Sequence, residues 1–91
     1  MSQINVEHNP DENRQDELGI AGWPVWTKEV SEFDWEYDKT ETCYIVEGKA
    51  IITPDGKAPV TIERGDMVTF PKGMKCVWDI IEDIEKHYKF D

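Results

Sequence analysis

From Trp23 onward the chain is dominated by short runs in which apolar and polar residues alternate. A period of two places one set of side chains on each face of a strand, so this pattern predicts half-buried β-strands rather than helices. Phe33-Asp34-Trp35-Glu36-Tyr37 is the clearest case, with aromatic rings on one face and acids on the other. Further strands are expected over 25–30, 42–47, 49–53, 59–62, 67–70, 75–81 and 84–90. Turn-forming residues punctuate them: Gly48, Pro54-Asp55-Gly56-Lys57, Arg64-Gly65-Asp66 and Pro71-Lys72-Gly73. About eight short strands at close spacing predict an all-β antiparallel sandwich or barrel.

Residues 1–21 read differently and form a polar N-terminal segment ahead of a single domain over 22–91. Ile4 and Val6 alternate with polar residues, which suits a short edge strand. Asn9-Pro10-Asp11-Glu12 resembles a helix start. There Asn9 would cap, Pro10 would take the first helical position, and the acids would favour the positive end of the helix dipole. Leu18 and Gly19 would close this short helix, whose polar interior predicts fraying.

Composition narrows the function classes. Ninety-one residues suffice for one domain with a thin core, and four Trp, three Tyr and three Phe supply large apolar side chains to fill it. A formal net charge of −10 argues against binding nucleic acid or an anionic membrane through a basic patch. Glu7, Asp11, Glu12, Asp16 and Glu17 concentrate acid in the N-terminal segment, as expected of a solvated stretch. The polar N-terminus lacks the apolar core of a signal peptide, and no run approaches the ~20 apolar residues of a membrane span. A cytoplasmic location is expected, with Cys43 and Cys76 reduced. Their spacing matches no CxxC-type zinc or redox motif.

Two segments together resemble the cupin superfamily. Its first motif can be written G-x5-HxH-x3,4-E-x6-G, and Glu41 to Gly48, ETCYIVEG, reproduces the second half. Its second motif is G-x5-PxG-x2-H-x3-N, and Gly65 to Gly73, GDMVTFPKG, reproduces the first half. Over residues 23–91 the chain is similar to the small single-domain DUF861 group, also called cupin_3 or EutQ-like. The resemblance implies a small cupin: a double-stranded β-helix, or jelly-roll-like antiparallel barrel. Gly48 and Gly65 suit turns that need positive φ or close backbone approach, Pro71 fixes the chain entering the next strand, and Gly73 lets it turn.

The departures from those motifs bear on chemistry. Counted from Glu41, the HxH positions hold Trp35 and Tyr37; counted from Gly73, the later His position holds Cys76 and the Asn position Ile80. Of four metal ligands the resemblance implies, only Glu41 remains. No cofactor is expected, although Glu41 and Cys76 are candidates for an atypical metal site. Strand parity and the resemblance together predict an interior, and hence a ligand pocket, of Trp35, Tyr37, Glu41, Cys43, Cys76 and Trp78.

Three functional readings follow. The first is metal-independent binding of a small molecule in an aromatic-lined barrel. The second is an enzyme, with Glu41 as acid or base and Cys76 as its thiol partner. The broader group is linked to ureidoglycine amine chemistry and ethanolamine utilisation, but the metal ligands of those aminohydrolases are missing here. A base for a thiol would have to come from His8, in the N-terminal segment, or His87, whose face holds Glu85 and Lys89 and is expected to be solvated. The third reading is a structural module working as a homodimer, in which Thr42, Tyr44 and Val46 give one strand a second partly apolar face.

Overall fold

The computed structural model describes residues 3–91, so the first two positions of the 1–21 segment lie outside the described residues. The strands are β1 (Asn5–His8), β2 (Val25–Lys28), β3 (Ser31–Glu36), β4 (Glu41–Pro54), β5 (Val60–Glu63), β6 (Asp66–Phe70) and β7 (Lys75–Phe90). All their pairings are antiparallel. Helix α1 (Glu12–Leu18) and a 3-10 turn (Ile20–Gly22) join β1 to β2. Among the described residues no helix is long and apolar enough to cross a membrane.

The two longest strands organise the fold. The first half of β4 lies between β6 and the second half of β7. The second half of β4 lies between β5 and the first half of β7. One layer therefore runs β1-β6-β4-β7-β2, and the other runs β5-β4-β7-β3. Rings from the two layers meet between them. Tyr37, just beyond β3, stacks on Phe70 of β6 at 4.9 Å between centroids, and Phe70 lies 5.6 Å from Trp78. Ile45, Ile52, Ile62, Val68 and Ile80 complete this core. The result is the small all-β cupin architecture.

Two sequence expectations need correction here. Gly48 does not end a strand, and residues 82–83 do not separate two: 42–47 with 49–53, and 75–81 with 84–90, each fuse into one strand. The β4–β7 register shifts between Ile45 and Ala50. Burial follows the shift, running Glu41, Cys43, Ile45 before it and Ala50, Ile52, Pro54 after it. That change of parity marks a bulge, which lets a strand bend into a second layer without ending. Gly48, with φ 98°, sits at the bend, where a Cβ would collide with the carbonyl oxygen of Asp83.

The N-terminal segment also differs in detail. The helix is capped by Asp11, not Asn9: its carboxylate accepts from the Arg14 amide at 2.8 Å, and Gly19 closes the other end in a left-handed conformation. Asn9 instead turns the chain with φ 49°, its amide donating to the Gly65 carbonyl at 2.9 Å. His8 is held by the sheet, with Nδ1 2.7 Å from the buried carboxylate of Asp66. That carboxylate also accepts from the Glu63 amide, which braces the turn between β5 and β6.

Candidate ligand pocket

One end of the space between the layers opens into a cavity of about 210 Å³. Its wall is aromatic: Trp26 of β2, Phe33 and Trp35 of β3, Tyr37, Trp78 of β7, and Tyr88 and Phe90 at the end of β7. Each lands there by strand parity. Phe33 pairs with Trp78 across the β3–β7 ladder, and their rings stack within 9° of parallel. Trp26 meets Trp78 edge to face at 6.1 Å, and Tyr88 meets Phe90 likewise at 5.6 Å. Such pairs contribute roughly 0.5–1.5 kcal/mol each beyond their burial and hold the wall rigid.

The polar groups of this cavity are few. Lys86 Nζ donates to Glu41 Oε2 at 2.7 Å, and both side chains are almost fully buried. The same ammonium lies 4.7 Å from the Trp26 ring centroid and 4.8 Å from that of Trp78. Two indole faces and a carboxylate thus replace the water the cation lost on burial. Nearby, the Trp78 indole N–H donates to the Tyr37 hydroxyl at 3.2 Å. The phenol oxygen is the acceptor there, and its own proton makes no hydrogen bond among the described residues. Burial, reinforced by the charge of Glu41, holds the Tyr37 phenol far above its ordinary range, so it stays a neutral donor.

The six residues proposed from sequence separate on folding. Tyr37, Glu41 and Trp78 are buried against the cavity. Trp35 is not interior: it is 48% exposed and forms the rim, because β3 is an edge strand. Cys43 and Cys76 do not line this cavity. Cys43 is wholly buried in the core, and Cys76 faces a separate shallow depression with Asp34, Glu36, Asp55 and Lys75. Burial pushes the Cys43 thiol up to about 12, with partial relief from Lys86. Burial and the charges of Asp55 and Glu41 push Cys76 up to about 11. Neither thiol is therefore a thiolate at neutral pH. His87, expected on a solvated face, is half-buried, with Nδ1 3.0 Å from the Trp23 carbonyl oxygen.

Lys86 was missed from sequence, although the pattern contains its signal. If Glu85, His87 and Lys89 share the outer face, then Ile84, Lys86 and Tyr88 must point inward. A lysine in that row needs an internal anion, and Glu41 is the carboxylate in the matching row of β4.

The residues do not fit the divalent metal of metal-binding cupins. Trp35 and Tyr37 stand where the paired imidazoles would be, and the Glu41 carboxylate is committed to an ammonium that would repel a metal ion. No group of three or more His, Cys, Asp or Glu side chains is placed to hold one among the described residues.

Comparison with known proteins agrees with this architecture. The profile of the EutQ-like cupin domain matches residues 15–88. A DUF861 family protein of Thermotoga maritima is 47% identical, with 98% of this chain aligned to 100% of that one and a TM-score of 0.95. A DUF1255 protein of Acidithiobacillus ferrooxidans, 14% identical, aligns over 69% of this chain and 60% of its own with a TM-score of 0.67. The EutQ protein of Clostridium difficile, 24% identical, aligns over 72% of this chain and 52% of its own with a TM-score of 0.66. The last two likenesses concern the fold alone. No curated protein matches.

Proposed function

The chain belongs to the EutQ-like cupin family, and from that premise we propose that it binds a small, largely apolar organic molecule without a metal. The observation that carries this reading is the cavity between the layers, walled by aromatic rings and ending on the Glu41–Lys86 pair. A void of ~150 Å³ already admits one benzene ring. About 210 Å³ therefore suits a single ring or a short branched chain with a small polar group. Charge narrows the class further. Glu41 and Lys86 neutralise one another, so a charged ligand would bring an uncompensated charge into an apolar site. A neutral ligand with one hydrogen-bond acceptor suits the Tyr37 hydroxyl proton, which the bond from Trp78 leaves unused.

Titration of the protein with ring-sized neutral compounds, read by tryptophan fluorescence, tests the proposal. Saturable quenching is expected in protein stripped by chelator and shown metal-free by elemental analysis. Trp35→Ala removes a half-exposed rim ring and should weaken binding by about three- to tenfold, the worth of one aromatic contact. A stoichiometric metal that resists chelation, or quenching that never saturates, would overturn the reading.

A further inference from the structure

The cavity places a primary amine, a carboxylate and a neutral phenol on one small apolar wall: Lys86, Glu41 and Tyr37. We propose that Lys86 forms a reversible imine with a small neutral aldehyde or ketone, Glu41 carrying the proton and Tyr37 binding the carbonyl oxygen. This rests on the small-molecule reading above and names the ligand class.

The chemistry follows from the geometry. Proton transfer across the 2.7 Å hydrogen bond turns the ammonium–carboxylate pair into a free amine and a carboxylic acid. In an apolar cavity such a neutral pair suffers less from desolvation than the ion pair it replaces. The Nζ lone pair adds to the carbonyl carbon while the π pair moves to oxygen, which is held by the Tyr37 hydroxyl. A proton passes from nitrogen to that oxygen, giving a carbinolamine. The Glu41 acid then protonates the hydroxyl, the C–O bond breaks, water leaves, and the nitrogen lone pair forms the C=N bond. The balance is one ammonium and one carbonyl giving one iminium and one water. The cation ends where it began, beside the Glu41 carboxylate and between the Trp26 and Trp78 faces that held the ammonium. Lys28 and Lys89 each lie over a single ring, at 5.4 Å, and so share only part of that stabilisation.

Reductive trapping tests it. The full chain is incubated with benzaldehyde and cyanoborohydride at neutral pH, and adducts are mapped by peptide mass spectrometry. Lys28, Lys39, Lys57, Lys72, Lys75 and Lys89 are exposed and serve as internal controls. Lys86 is expected to be benzylated about tenfold or more faster than any of them. Glu41→Gln should slow labelling at Lys86 by about 100-fold and leave the surface lysines unchanged. Should that variant not fold, benzyl alcohol supplies the second arm: it has the ring but no carbonyl, and should suppress Lys86 labelling in the parent protein by competition. Labelling confined to surface lysines, while benzyl alcohol still quenches tryptophan fluorescence saturably, would overturn the imine and leave the binding reading standing. Failure of both compounds to bind or react would overturn both.

Discussion

Taking away either partner of the Glu41–Lys86 pair strands the other charge among indole rings. Lys86→Met should cost about 3–5 kcal/mol of stability, whereas Glu41→Leu/Lys86→Met should recover most of that loss and lie within ~2 kcal/mol of the parent. Urea denaturation of the parent, both single variants and the double variant measures the coupling, and single losses that simply add in the double variant would show that the pair does not act as a unit. The thiols carry a second prediction at this scale. With both buried and held protonated, iodoacetamide should label neither Cys43 nor Cys76 in the folded protein at pH 7.5, yet label both in urea. The difference between Glu41 and Lys86 also shows what sequence can reveal about a site. Glu41 stands inside a spaced motif, so its inward position was legible. Lys86 stands in no motif, and charge alone suggests solvent. Only a partner 45 residues away makes its burial tolerable, and that pairing exists only after β4 and β7 come together.

Among the elements, the bend in β4 was hidden for a related reason. A glycine between two apolar runs reads equally as a turn or as a bulge, and the choice depends on what lies across the ladder. Here it is the Asp83 carbonyl, too close for any side chain. Gly48→Ala should therefore cost clearly more than Gly73→Ala, whose added methyl meets open space and which bears only the backbone penalty of about 1–2 kcal/mol. Denaturant midpoints of the two variants make the comparison, and equal losses would mean that the bend yields readily. Strand positions were legible because the period of two survives within each half of β4 and β7. Which face was interior also survived, except at Trp35, where parity gives a direction but not whether another strand lies beyond to cover the ring. Helix α1 buries no residue, so its amides should exchange with solvent far faster than those of β4 and β7.

For the whole molecule, alkali is the natural probe. Cys43 and Cys76 have folded pKa values near 12 and 11 against an ordinary 9, so the folded state holds protons that the unfolded chain releases. That contribution is complete below about pH 9 and is lost as pH rises toward 11 and 12, with a slope of at most about 1.4 kcal/mol per pH unit for each thiol. Tyr37 acts in the same direction at still higher pH. Stability measured by urea between pH 8 and 11 should fall accordingly, and Cys43→Ala should flatten the decline. The β4–β7 hairpin has a further consequence, for the route by which the chain folds. Its two strands belong to both layers, and its inner ends are separated by a long connection that carries β5 and β6. Neither layer can be completed without the other, and no subset of neighbouring strands contains the core. Loop closure must therefore precede most of the stabilising contacts, which places refolding on the millisecond-to-second scale of non-local β proteins, with one exponential phase and no half-built layer along the way.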